Sequence, residues 1–250
     1  MTRSTGNTAP RLFVAAELRQ GATIAASAEQ AHYLATVLRR GPDDIVRLFN
    51  GADGEWIARL TAGRRDRVTL IVEHQSRPHH NEPGPWLLFA LLKRDATDLV
   101  VRQAVELGAS RIMPVMTERT NAARVNQDRL RAIAIEAAEQ SERLTIPPVD
   151  APVRLDAVLA AWPTGRRLFA AIERTWTGAP APWTGLERGP AALLIGPEGG
   201  FTATENELLH RADFVTPISL GPFVLRAETA AAAGLALLLG TGWADYAKAT

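Results

Sequence analysis

Residues 191–212 read Ala-Ala-Leu-Leu-Ile-Gly-Pro-Glu-Gly-Gly-Phe-Thr-Ala-Thr-Glu-Asn-Glu-Leu-Leu-His-Arg-Ala, and this stretch decides the fold. Five apolar residues in a row fit a strand over 191–195 that is buried on both faces. Thr202 followed three residues later by Glu205 is the pattern of a capping box, which predicts a helix over 202–212. Strand, glycine-rich turn and capped helix in succession form one unit of a parallel α/β sheet. In open sheets of that kind, ligands occupy the crevice beyond the carboxyl ends of the strands. Free backbone amides face the ligand there, and glycines let it approach closely. The turn over 196–200 therefore reads either as a ligand loop or as a tight strand-to-helix turn that binds nothing. No Lys-Ser or Lys-Thr follows, which excludes a Walker loop, and the G-x-G-x-x-G spacing of a dinucleotide fold is missing.

The same grammar extends on both sides. Strands are predicted over 86–92, 111–116, 167–172 and 215–220, with helices over 95–107, 128–143 and 155–161. The segment 218–230, Ile-Ser-Leu-Gly-Pro-Phe-Val-Leu-Arg-Ala-Glu-Thr-Ala, again places Gly-Pro after a strand and launches a helix that is apolar nearly all round. Such a helix must be buried between elements or against a second subunit. It is too short, and too close to Arg226 and Glu228, to span a bilayer. Those two residues at its mouth are either a helix-entry ion pair, which the macrodipole would favour, or functional groups.

Toward the N-terminus the pattern turns to short strands, over 11–14, 45–49, 55–60 and 68–73. Asn50-Gly51-Ala52-Asp53-Gly54 supplies the turn between the middle two. A helix over 28–38 is expected to stop at Arg39-Arg40-Gly41. This part reads as a small β-barrel-like module over 11–75. Residues 76–85, Ser-Arg-Pro-His-His-Asn-Glu-Pro-Gly-Pro, have no hydrophobic period and read as a linker to an α/β domain over 86–250. Residues 1–10 read as a disordered extension, and the Trp-, Pro- and Gly-rich stretch 175–189 as a loop.

With 250 residues and 46% hydrophobic content, the chain can bury a real core. It has no cysteine, so disulfides, thiolate metal sites and cysteine nucleophiles drop out, as fits a reducing compartment. The polar start has no signal-peptide core, and a cytoplasmic protein is expected. A net charge of +1 means that any nucleic-acid surface must be local. His79-His80 has no spaced partner that would make it a metal site, and no G-x-S-x-G elbow suggests a hydrolase.

Several separated segments, in one order, resemble the RsmE family of ribosomal RNA methyltransferases. They are Arg11-Leu12-Phe13-Val14, His32-Tyr33-Leu34 with Val37-Leu38-Arg39, the run Glu106-Leu107-Gly108-Ala109-Ser110-Arg111-Ile112-Met113-Pro114, Thr117-Glu118-Arg119-Thr120 and Glu139-Gln140-Ser141-Glu142-Arg143, followed by the two segments quoted above. The similarity runs collinearly from Arg11 to about Gly240. It departs at Phe223 and Gln103, where the family commonly has basic residues.

The resemblance implies a PUA-like RNA-binding domain followed by a SPOUT α/β domain with a mostly parallel sheet and a trefoil knot. It also implies a homodimer that uses S-adenosylmethionine, and no metal, to methylate N3 of one uridine in 16S ribosomal RNA of the small subunit. Ile195, Gly196, Pro197, Gly199, Gly200, Ile218, Leu220, Gly221, Leu225 and Thr229 would bind the cofactor. N3 of uracil is a poor nucleophile until its proton leaves, so positive charge is needed where the base becomes an anion. Arg226 is the candidate for that charge, and Glu198 and Glu228 are candidates for orienting it or accepting the proton. Arg11, Arg39, Arg40, Arg64, Arg65 and Arg67 would grip phosphates. Two other readings share parts of this pattern: a related enzyme acting on transfer RNA or a ribose hydroxyl, and a non-catalytic RNA-binding protein of ribosome assembly.

Overall fold

The computed structural model describes residues 9–61, 68–120, 125–172 and 189–240. The chain divides into two compact units: Met1–Asn81 with Ala138–Ile146, and Glu82–Ala137 with Pro147–Thr250.

The first unit holds β1 (Arg11–Phe13), β2 (Thr23–Ala25), α1 (Ala28–His32), β3 (Ile45–Phe49), β4 (Glu55–Leu60) and β5 (Thr69–Arg77). The strands form one sheet in the order β1-β3-β4-β5-β2, with β1 parallel to β3 and the other pairs antiparallel. Leu34, Val46, Leu48 and Leu70 are fully buried at its centre. In the turn after β3, Gly51 and Gly54 take φ of 86° and 79°, while the Asn50 Oδ1 accepts from the Ala52 and Asp53 amides. Gly54 has a second reason to be glycine, since a Cβ there would lie 2.3 Å from the Arg77 carbonyl oxygen.

The expected helix over 28–38 is capped at Ser27 by a capping box with Gln30, but it changes character halfway. Tyr33–Val37 is a π-helical turn. It closes at Arg39, in the left-handed region at φ 52°, with the Arg40 amide donating back to the Leu34 carbonyl at 2.8 Å. The stop is therefore Arg39 and not Gly41.

Arg11 is not on the surface. It is 6% exposed; Nε donates to Glu55 at 2.6 Å and Nη1 to the Ala138 carbonyl at 2.6 Å. Nη2 donates to the Arg143 carbonyl, and the guanidinium lies 3.7 Å from the Phe49 ring centroid. Burial pulls this guanidinium below its ordinary pKa, and the hydrogen bond and charge of Glu55 oppose that pull. Glu55 is 2% exposed and also has Arg47 and Arg77 at 3.8 Å each. A buried carboxylate needs such partners, so the expectation that Arg11 grips phosphate is corrected to a structural role.

The motif 139–143 belongs to the same cluster. Glu139 accepts from the Phe13 amide at 2.8 Å, and Glu142 accepts from Arg47 at 2.8 Å.

The second unit alternates strand and helix. It contains β6 (Trp86–Ala90), α2 (Arg94–Glu106), β7 (Arg111–Met116) and most of α3 (Gln127–Gln140). These are followed by β8 (Val153–Arg154), α4 (Leu155–Ala160), β9 (Arg167–Ala171), β10 (Ala191–Ile195), α5 (Ala203–Arg211), β11 (Val215–Ile218) and α6 (Ala227–Leu238). All strand pairs are parallel, in the order β11-β9-β10-β6-β7-β8.

Every residue of β10 is buried, as its unbroken apolar run requires. Helix α6 packs on β10, β6 and α2, and its Gly234 permits the approach: a Cβ there would sit 2.6 Å from Leu193 Cδ2. One side of α6 is buried through Ala230, Ala231 and Leu235, while Ala236 and Leu237 on the other side are exposed.

At the opposite end of β6, Gly108 closes α2 with φ 73°. The Ser110 hydroxyl donates to the Gly84 carbonyl at 2.6 Å. Residues 76–85 are thus engaged at both ends, by β5 on one side and by this contact on the other.

Candidate functional site

A cavity of about 370 Å³ opens at the carboxyl ends of β9, β10 and β11, where a parallel sheet presents its ligand crevice. Its floor is the turn from Gly196 to Phe201, one wall is Ala171 and Ile172, and the other runs from Leu220 to Ala230. Two larger hollows, of about 820 Å³ at the amino ends of the same strands and about 570 Å³ between the starts of α2 and α3, are not floored by this glycine turn. Position favours the smaller one, because it lies beyond the carboxyl ends of the strands, where open parallel sheets hold their ligands.

The glycines make the floor. A Cβ on Gly196 would meet the Phe201 ring at 2.9 Å, and Gly200 takes φ 69° with its amide donating to the Pro197 carbonyl at 2.8 Å. The turn then feeds α5 through the predicted capping box. Thr202 accepts from the Glu205 amide, and the Glu205 Oε2 accepts from the Thr202 amide at 2.9 Å.

The other carboxylate oxygen of Glu205, which is 6% exposed, accepts from the Glu118 amide at 2.8 Å. This ties the glycine turn to the turn after β7, where Thr117 and Thr120 bond each other at 2.9 Å. Arg119 reaches back from that turn and donates to the Gly199 carbonyl at 2.5 Å.

The structure brings together Ile195, Gly196, Pro197, Gly199, Gly200, Leu220 and Leu225 around the cavity, with Glu198 beside them. Ile218, Gly221 and Thr229 are not in its lining. Ile218 is fully buried at the end of β11, Gly221 takes φ 117° to turn the chain, and Thr229 is exposed on α6.

Arg226 and Glu228 do not line the cavity either. Arg226 is the N-cap residue of α6 and is exposed. Among the described residues no ion pair joins it to Glu228, so that simple account of the two residues is removed. Arg119 and Phe223 line the cavity although neither was singled out as a site residue. Arg119 stood within a quoted motif whose Thr117 and Thr120, three apart, mark a side-chain-closed turn.

Of the expected phosphate contacts, Arg39 is exposed and Arg40 half-buried, its Nε without a hydrogen-bond partner among the described residues. Arg64, Arg65 and Arg67 lie outside the described residues, as do most of the loop expected over 175–189 and of the extension over 1–10. Among the described residues no three His, Asp or Glu side chains cluster as a metal site would require. No described helix is long and apolar enough to cross a membrane.

Comparison with known proteins places these features in a family. Residues 81–239 match the model of an RNA methyltransferase domain, and residues 27–73 that of an RNA methyltransferase PUA domain. The chain is 33% identical over 228 residues to the ribosomal RNA small subunit methyltransferase E of Rickettsia conorii, covering 90% of this chain and 93% of the relative. It is 35% identical over 234 residues to the protein of the same name from Synechocystis, covering 90% and 76%. Among solved structures, the ribosomal RNA small subunit methyltransferase E of Neisseria gonorrhoeae bound to S-adenosyl methionine superposes with a TM-score of 0.81 at 28% identity, covering 93% of this chain and 97% of that one.

Proposed function

This chain belongs to the RsmE family of RNA methyltransferases, with their PUA domain, and from that premise we propose that it methylates N3 of one uridine in 16S ribosomal RNA of the small subunit, using S-adenosylmethionine. The observation that carries the reading is the glycine-floored cavity at the carboxyl ends of β9, β10 and β11. Its fit to the cofactor rests on its own chemistry. Gly196, Gly199 and Gly200 put no side chain on the floor, so the backbone of the turn itself faces the ligand, and Leu220, Leu225 and Ala230 offer apolar surface. Ile195, Gly196, Pro197, Gly199, Gly200, Leu220 and Leu225 would hold it.

When bound, S-adenosylmethionine supplies a methyl group on a sulfonium, ready for in-line displacement. The protein must then hold the uracil at attack distance and favour loss of its N3 proton. Arg226, exposed at the head of α6 and without an ion-pair partner among the described residues, supplies positive charge for the developing uracil anion. Glu228, two residues further on, is the candidate in this reading for accepting the N3 proton. Arg39 and Arg40 in the first unit contribute phosphate contacts, which set affinity without reading sequence, and the target base is splayed out of its stack. A homodimer that covers the exposed Ala236 and Leu237 of α6 is part of this reading, as is the trefoil knot in the C-terminal segment.

The test is direct. Purified protein with S-adenosylmethionine should produce N3-methyluridine in isolated small ribosomal subunits and none in transfer RNA, as read by mass spectrometry of digested nucleosides. Arg226→Ala should lower the rate by about 10²-fold, as when one charge-stabilising donor is removed. A methylated transfer RNA, a methylated ribose, or full activity of folded Arg226→Ala would contradict it.

A further inference from the structure

Among the described side chains that line the cavity, two are charged, and they are of opposite sign: Arg119 and Glu198. Both are exposed. Among the described residues neither forms an ion pair, with the other or with any third group. A cavity that presents one cation and one anion, neither of them in an ion pair among the described residues, is complementary to a zwitterion. From the cofactor reading above, on which the inference rests, we propose that Arg119 binds the carboxylate of the amino-acid end of S-adenosylmethionine and Glu198 its ammonium group. The nucleoside end is then left to the backbone and apolar surfaces along 220–230.

Arg119 is built for such a task. Its main chain is pinned on one side by the Glu118 amide on Glu205, at 2.8 Å, and on the other by the Thr117–Thr120 turn. One guanidinium nitrogen is fixed on the Gly199 carbonyl at 2.5 Å. A guanidinium carries five N–H donors in a planar fork, so this anchor leaves further donors for a carboxylate. Those donors are already oriented, which reduces the entropy lost when the ligand docks.

Gly199 takes part as well. A Cβ there would lie 3.3 Å from Arg119 Cδ, so the missing side chain gives the arginine room to lie along the loop. Glu198 stands between Pro197 and Gly199 in the same loop and lines the cavity with them. In this assignment Glu198 serves the cofactor and not the uracil proton.

The rival role for Arg119 is a loop clasp that shapes the cavity without touching the ligand. Calorimetry with three ligands on wild type, Arg119→Met and Glu198→Gln separates the two. Hydrogen bonds to charged groups differ by enough to expect at least about a tenfold effect. Wild type should bind decarboxylated S-adenosylmethionine at least about tenfold more weakly than S-adenosylmethionine, whereas Arg119→Met should bind the two alike. 5′-Methylthioadenosine, which lacks the amino-acid end, should bind wild type and both variants equally.

A clasp would weaken all three ligands together in Arg119→Met, and that result overturns the proposal. So does a wild type indifferent to the carboxylate, a result that needs no variant to fold. If wild type binds neither S-adenosylmethionine nor methylthioadenosine, the cofactor reading itself fails and takes this assignment with it.

Discussion

Gly196 shows how narrow the tolerance of the cavity is at the scale of one residue. Phe201, whose ring would stand 2.9 Å from a new Cβ, is 4% exposed and packed in the core of the sheet. Gly196→Ala must therefore displace a buried ring or narrow the cradle. Overpacking of this kind costs about 1–3 kcal/mol of folding stability, and a cradle narrowed at a similar cost to binding should hold S-adenosylmethionine about tenfold more weakly in calorimetry. Unchanged affinity would mean that the turn does not hold the ligand.

Residue identities were unevenly legible in the sequence. Glycines in the turn and the Thr202–Glu205 cap could be read because their requirements are local. Arg11 could not, because its partners Glu55, Ala138 and Arg143 come from distant parts of the chain, and a charged residue at a strand start usually faces water. Arg119 was visible only as part of a motif, and its role depends on a carbonyl 80 residues away.

At the scale of elements, the join between β6 and the end of α2 carries a sharp expectation. A Cβ on Gly84 would sit 1.9 Å from the Gly108 carbonyl oxygen and 3.1 Å from the Ser110 amide nitrogen. Backbone cannot swing aside as a side-chain tip can. Gly84→Ala should destabilise the protein by at least about 2 kcal/mol in urea unfolding, toward the upper range for overpacked sites; a loss near zero would refute that packing.

Strands and helices with strong periodicity or apolar runs were readable, as at β10 and α5. β2 was not, because its three residues Thr23–Ala25 expose two side chains and present no alternation long enough to read. The π-helical turn at Tyr33–Val37 was also invisible, since an extra residue in a turn leaves no mark on composition.

At the scale of the whole molecule, the first unit should respond to acid through its arginine–carboxylate cluster. The hydrogen bond from Arg47, opposed by desolvation, holds the Glu142 carboxyl below its ordinary value. A carboxyl with a lowered folded pKa contributes stability in full above the unfolded value of about 4.3 and loses it as pH falls through the folded value. Melting temperature should therefore drop below about pH 4.3, and Glu142→Gln should flatten part of that drop. The effect is small, because the side chain is 52% exposed and screened by solvent. An identical pH profile in the variant would remove Glu142 from the account.

The sequence changes from short strands to alternating strand and helix near the point where the first unit gives way to the second, but that Ala138–Ile146 groups with the first unit was not legible. Nothing in the helical period of α3 signals that its last turn serves a different core from its first.

The central claim is tested most directly in cells. Deleting the gene should abolish N3-methyluridine in small-subunit ribosomal RNA, as read by mass spectrometry of purified 16S nucleosides, and restoring the wild-type chain should bring it back. If the modified nucleoside persists at its full level in the deletion strain, this chain does not make it, and the proposed substrate is wrong.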